Sequence, residues 1–228
     1  MSKESLRKNI NNYDLYIFDL DGTLYFQKPF RIRMALYLIM YIFKHPSSIK
    51  DVLLIKEYRK VRENWEERDI DEIGKSIDES LSIDNRQYEY VARKKNSSAE
   101  KVRDAVEFFM MKAPLSLLPD YVDDNLKKFI KKMRENSKVV VIYSDYPVKD
   151  KLNALGIDVD GMYTSTDENI GVMKPDGKGI EVILSDYDIS GENAIMIGDR
   201  YEKDGLCAIA NNVDYIILSS KKEERKVI

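Results

Sequence analysis

From Pro119 to Leu218 the sequence alternates between helical and strand patterns, and this alternation constrains the fold more than any other feature. Helical periodicity over 120–135, 147–155, 178–185 and 203–210 is interleaved with apolar runs at Lys138 to Ser144, Gly161 to Thr164, Ala194 to Gly198 and Val213 to Leu218. Each element can bury its apolar face only against its neighbours. The expected fold class is therefore α/β, a doubly wound and mostly parallel sheet with helices packed on it. One more strand is expected far upstream, at Tyr13 to Asp19 (YDLYIFD), where an apolar run stops abruptly in DLDGT at 19–23. Gly22 can supply a permissive turn there, which leaves carboxylates at the carboxyl end of a strand.

From about Phe30 to Lys112 the chain shows no strand pattern, only helical ones over 31–44, 49–67, 69–81, 85–95 and 98–112. The expected organisation is a core formed by 1–25 and 114–228 with an all-helical insert at 26–113. Ser97 and Glu100 have capping-box spacing ahead of Val102, Ala105, Val106 and Phe109, and Pro114 marks where that last helix ends. Met34 to Phe43 (MALYLIMYIF) is ten apolar residues, well short of the roughly 20 needed to span a bilayer. A buried helix is expected there, with a partner-facing or surface-lying helix as the other placements. Trp65 and the methionines at 34, 40, 110 and 111 are read as packing residues, and His45 as a helix-terminus residue. Lys28, Arg31 and Arg33 either meet an anionic substrate or are simply solvated.

The chain has 228 residues, 43% of them hydrophobic, which is enough for a substantial core. A net charge of -3 supplies no broad positive field, so nucleic acid is not an expected partner. The single cysteine, Cys207, excludes an intramolecular disulfide framework and a cysteine-rich zinc site; it reads as a small buried hydrophobe in a reducing compartment. The polar start MSKESLRKNINN lacks the apolar stretch of a secretory signal, so a cytoplasmic location is expected. The run KKEERK at 221–226 reads as a solvated charge run.

Ligands of open α/β sheets bind beyond the carboxyl ends of the strands, so the polar residues there are the candidates for chemistry. Three predicted strands end in such residues: Asp19, Asp21 and Thr23 after the first, Ser144 and Asp145 after the second, Asp199 and Asp204 after a later one. Lys174 lies in the loop between the last two. Taken singly, each has a plain alternative: a turn with a helix cap for the aspartates and Thr23, a cap ahead of Pro147 for Ser144 and Asp145, a surface lysine for Lys174. Taken together they converge on one edge of one sheet. Two carboxylates about 5 Å apart repel by roughly 3 kcal/mol at an effective dielectric near 20, so several gathered there call for a cation. Hard oxygen ligands without His or Cys select Mg²⁺.

These residues resemble the haloacid dehalogenase (HAD) superfamily of hydrolases, in particular its phosphatases with a helical cap inserted after the first motif, such as those acting on phosphoglycolate. DLDGT at 19–23, Ser144 at a strand end, Lys174 before Pro175 and GDRYEKD at 198–204 match that family's four motifs in order and spacing. The resemblance implies that Asp19 is a nucleophile forming an aspartyl-phosphate, and that Asp21 is the general acid and base, its backbone carbonyl also a metal ligand. It implies that Thr23 and Ser144 contact the phosphate, with Asp145 beside them, and that Lys174 neutralises Asp19 and the transferring group. Asp199 would be a direct Mg²⁺ ligand, and Asp204 a ligand of the metal, or a group orienting a metal-bound water or Lys174. Asp145 departs from the pattern, since a residue such as Asn is expected there; a capping role ahead of Pro147 accounts for it. The expected function is hydrolysis of a small phosphorylated metabolite by a monomer or homodimer, with no membrane span. A phosphomutase and a non-catalytic interaction protein on the same fold are the alternatives; a dehalogenase would need neither Asp21 nor the metal-binding acids.

Overall fold

The structure, a computed structural model, describes residues 3–65 and 72–225. The chain divides into two compact units, Met1–Phe30 with Leu118–Ile228, and Arg31–Leu117.

The first unit is built on a six-stranded sheet. Its strands are β1 (Lys3–Ser5), β2 (Leu15–Phe18), β3 (Val139–Ser144), β4 (Gly161–Thr164), β5 (Ala194–Gly198) and β6 (Asp214–Ile217), in the spatial order β1-β6-β5-β2-β3-β4. Five of these are mutually parallel, and β1 adds antiparallel to β6 at the edge. The sequence pattern did not predict β1, because Lys-Glu-Ser is polar throughout and its pairing comes from the exposed backbone of β6. Both faces of the central strands are covered, which is why β2, β3 and β5 read as continuous apolar runs. On one face Leu15, Ile17, Val141, Tyr143 and Met196 pack with Ile180 and Ile183 of a helix at Lys178–Asp186 and with Cys207 and Ala208 of another at Leu206–Ala210. On the other, Tyr16 and Phe18 meet Phe129 edge-on at 5.7 and 6.4 Å between centroids. Phe129 lies on the helix Asp124–Glu135, whose N-cap Asp123 accepts from the amides of Asn125 and Leu126. The free thiol of Cys207 is buried, as expected.

The order β5-β2-β3 means that the chain leaves β2 toward one side and comes back to its other side at β5. That reversal opens a crevice at the carboxyl end of β2.

The second unit holds α2 (Ile49–Glu63), α3 (Glu72–Lys75), α4 (Ile83–Lys94) and α5 (Ala99–Val106); it also takes in most of α1 (Gln27–Lys44), whose first turn belongs to the other unit. Arg62 is buried and hydrogen-bonds the Tyr58 hydroxyl (2.8 Å), Asp84 (2.5 Å) and Gln87 (2.7 Å), so its charge is matched inside the helical unit. Trp65 packs edge-on to Tyr90, as a packing residue should. His45 ends α1 with its ring against Tyr41.

Four expectations need correction. The cap of α5 is Ser98, whose Oγ accepts the Lys101 amide, one residue beyond Ser97; the α-helix gives way to a wider π turn at Glu107–Lys112. Among the described residues the helix expected over 69–81 forms at Glu72–Lys75 and stops there, since an Asp78 turn onto the Ser80 amide competes with it; 66–71, the end of one expected helix and the start of the next, lie outside the described residues. The helix at Met34 to Phe43 is not buried: Leu36, Ile39, Met40 and Phe43 are all exposed, so Met40 is not core filler. Finally, the side chain of Arg225 in the terminal charge run turns inward rather than into solvent and is only 6% exposed.

Candidate active site

All the groups described below belong to the α/β unit. Asp19 follows β2 and is 5% exposed, its amide held by the Ile197 carbonyl of the neighbouring strand. The turn after it is tight. Gly22 adopts φ +103°, and a Cβ there would lie 2.2 Å from Oδ2 of Asp199, so no other residue fits without moving that carboxylate. The turn is also held from behind. Arg225 donates to the carbonyls of Gly22 (2.5 Å) and Thr23 (2.7 Å), to Asp123 (2.7 Å) and to the Ser219 carbonyl (2.9 Å), with its guanidinium 4.6 Å over the Phe26 ring.

Lys174 brings the distant acids together. It is 1% exposed, and its Nζ donates to Asp19 Oδ1 (2.8 Å), Asp204 Oδ1 (2.6 Å) and the Tyr143 carbonyl (3.3 Å). Burial opposes its charge, but the two carboxylates outweigh burial and hold the ammonium well above its usual range. Thr23 is fully buried and donates to Asp19 Oδ2 (3.0 Å), so each oxygen of Asp19 accepts one hydrogen bond. Burial pushes the Asp19 carboxyl up to about 7; Lys174 works against this, and Asp204 and Asp199 add to it.

Asp199 and Asp204 follow β5. Asp204 Oδ2 accepts the amides of Asp199 (3.2 Å) and Arg200 (3.1 Å), while Oδ1 takes Lys174, so both its oxygens are engaged. Gly198 makes room for it: a Cβ there would sit 2.3 Å from Oδ2. Asp199 differs. Its Oδ1 is buried with no hydrogen-bond partner, the nearest cation being the Arg200 guanidinium at 4.0 Å; burial followed by repulsion from Asp204 raises its carboxyl to about 6, against the pull of Arg200. Ligand oxygens of Asp19, Asp199 and Asp204 lie within 4.8 Å of one another. A buried carboxylate oxygen that lacks a hydrogen bond beside two other acids is what a hard divalent cation would satisfy, so the donor set fits Mg²⁺.

Asp21 is oriented by groups that sequence reasoning missed. Lys151 donates to both of its oxygens at 2.7 Å, and the Tyr25 hydroxyl donates to Oδ1 at 2.5 Å. Burial works to raise this carboxyl, but Lys151 and then Tyr25 overcome it and hold it below the ordinary carboxylate value. Lys151 is one of many lysines on a helix, here Lys149–Leu155, and no local signal distinguishes it. Asp145 also departs from expectation. The helix after Pro147 starts from Val148 without a side-chain cap, and Asp145 instead accepts from Ser165 Oγ (2.5 Å) and the Lys174 amide (3.0 Å). Its carboxylate is thus spent on the loop that carries Lys174. Ser144 is buried and its Oγ accepts the Tyr146 amide (3.2 Å).

Residues 13–210 match the family described as haloacid dehalogenase-like hydrolases. Solved structures similar to this chain include a 2-haloacid dehalogenase from Pseudomonas syringae pv. Tomato, 13% identical over 89% of this chain and 85% of that one (TM-score 0.59). A HAD hydrolase from Bacillus subtilis bound to magnesium is 14% identical over 90% and 87% (TM-score 0.59). A HAD phosphatase from Thermococcus onnurineus is 16% identical over 93% and 89% (TM-score 0.51). A search of curated proteins returned no match. With 198 consecutive residues covered and the α/β fold shared, the chain belongs to the haloacid dehalogenase-like hydrolases.

Proposed function

We propose that this hydrolase is a Mg²⁺-dependent phosphomonoesterase that acts on a small phosphorylated metabolite through an aspartyl-phosphate on Asp19. The observation that carries this reading is the buried Oδ1 of Asp199, without a hydrogen bond and only 4.0 Å from Arg200 for compensation, beside Asp19 and Asp204. Displacement at carbon by a lone carboxylate has no use for such a cation-seeking cluster, whereas phosphoryl transfer does. Asp19, Asp199 and the Asp21 backbone carbonyl would hold the ion, which when bound supplies positive charge against the transferring oxygens.

The side chains divide the remaining work. An oxygen of Asp19 attacks phosphorus in line while the bond to the leaving oxygen breaks, and that oxygen takes up, by way of Asp21, the proton that the phosphomonoester monoanion brings in. Water then attacks the phosphorus of the aspartyl-phosphate, Asp21 takes the water's proton, and Asp19 leaves as carboxylate. Lys151 and Tyr25 both donate to Asp21, so they hold the ionised form needed for this second step. Lys174 and Ser144 face the negative charge of the phosphoryl oxygens. Asp204 and Asp145 act through Lys174, one on its ammonium and the other on its backbone amide.

The test is hydrolysis of p-nitrophenyl phosphate with Mg²⁺, with EDTA, and by Asp19→Asn. Turnover that needs Mg²⁺ and is lost in the variant supports the reading. Halide release from a 2-haloacid without p-nitrophenyl phosphate hydrolysis would replace it with a dehalogenase.

A further inference from the structure

Helix α1 has an apolar face that no described residue covers. Ile32, Leu36, Ile39, Met40 and Phe43 are 66, 50, 55, 60 and 85% exposed. At about 100° per residue these five fall in one stripe about 100° wide. On the far side of the same helix, Leu38 and Tyr41 pack against Ile55 and Phe109 and tie α1 into its own unit. The stripe is therefore surplus to the packing of the helices.

Charge narrows what can cover it. Gln27–Lys44 contains Lys28, Arg31, Arg33 and Lys44 and no acidic residue, in a chain whose net charge is -3. All four cations are exposed, Lys28 and Arg31 bordering the stripe on one side and Arg33 and Lys44 on the other. A second copy docking through the same face would set these cations against each other. It would also have only a narrow stripe to bury, where a stable protein interface takes roughly 20 residues a side. No helix of the described residues is long and apolar enough to cross a membrane. An apolar stripe with Phe and Leu, flanked by Lys and Arg, instead suits the headgroup region of an anionic bilayer, where side chains enter to a depth of roughly 5–10 Å.

We propose that α1 lies on anionic membrane surfaces, with Met40 and Phe43 inserted among the acyl chains and the flanking cations on the headgroups. The proposal is independent of the chemistry assigned to Asp19. It is tested by co-sedimenting the full chain with vesicles of phosphatidylcholine alone and of phosphatidylcholine with about 30% phosphatidylglycerol. Binding to the anionic vesicles should exceed binding to the neutral ones by about tenfold and fall in high salt. Met40→Ser with Phe43→Ser should reduce it about tenfold, and Arg33→Glu with Lys44→Glu should remove the anionic preference, both with unchanged circular dichroism and melting. Absence of binding to anionic vesicles, or a serine variant that binds as the native chain does, overturns the proposal. So does a native dimer by light scattering that the serine variant turns into a monomer, which would assign the stripe to a second copy.

Discussion

The two units invert the usual distribution of residue types in opposite ways. The α/β unit buries charge: Asp19, Asp145, Lys174 and Asp204 all lie inside, at the carboxyl edge of its sheet. The helical unit exposes apolar surface along α1 while keeping its own buried cation, Arg62, fully partnered. Buried charge persists only where each group has a named partner, so the acids and Lys174 depend on one another and on the loops that hold them. The α1 stripe depends on nothing within its unit. The first region is thus intolerant of losing the cation that its acids share, and the other should accept single changes without loss of fold.

Perturbing each region should separate these two behaviours. The largest effect is expected for Asp19→Asn, which should lower phosphatase turnover by at least about 10⁴-fold, about 5 kcal/mol of barrier, while raising the melting temperature of the metal-free protein. Loss of both turnover and stability would mean that Asp19 is structural. Lys174→Met leaves Asp19 and Asp204 facing each other without compensation and should destabilise by about 3–5 kcal/mol in urea unfolding. A smaller change would show that the acids relax into water.

A metal and pH comparison comes next. Folded-state values of about 7 for Asp19 and about 6 for Asp199 lie above the unfolded carboxylate value of about 4. Between pH 4 and pH 7 the folded state therefore holds protons that the unfolded state has released, and metal-free stability should fall as pH rises through that window. Mg²⁺ held as proposed needs the ionised acids, so it should stabilise at pH 8 by about 3 kcal/mol when about 100-fold above its dissociation constant, and little at pH 5. Equal stabilisation at both would remove Asp19 and Asp199 from the metal site. Arg225→Ala should cost about 2 kcal/mol and lower kcat more than it raises KM, because the Asp19 turn loses its support while the phosphate-facing groups stay. The smallest effect, within about 0.5 kcal/mol, is expected for Met40→Ser with Phe43→Ser, as both side chains are exposed.

What could be read from the sequence follows the range of the interactions. Apolar runs located the five parallel strands, most firmly β2, β3 and β5, where burial on both faces leaves a continuous local signature. The acids and Lys174 were legible as residues at strand ends. Their partners were less so: Lys151 and Arg225 reach Asp21 and the Asp19 turn across 130 and more than 200 residues, and a lysine or arginine bound for the interior looks like any other in the chain. Asp145 illustrates the opposite error. Its position ahead of Pro147 suggested a local cap, and the tertiary partner, the Lys174 amide, won. The exposure of α1 could not be read from its apolar pattern, since an apolar helix looks the same whether the surface that covers it lies within the chain or outside it.

The guanidinium of Arg225 has a consequence for the order in which the molecule is completed. A ribosome that has delivered the chain through residue 210 has already supplied every acid of the cluster together with Lys174, and domains form as their segments emerge. The turn behind Asp19 nevertheless still lacks the clamp on the Gly22 and Thr23 carbonyls, which arrives only with Ser219 and Arg225. Nascent chains arrested between these two lengths would hold a complete set of reactive groups on an unbraced loop, and an onset of activity only beyond the end of β6 would mark the arrival of one arginine.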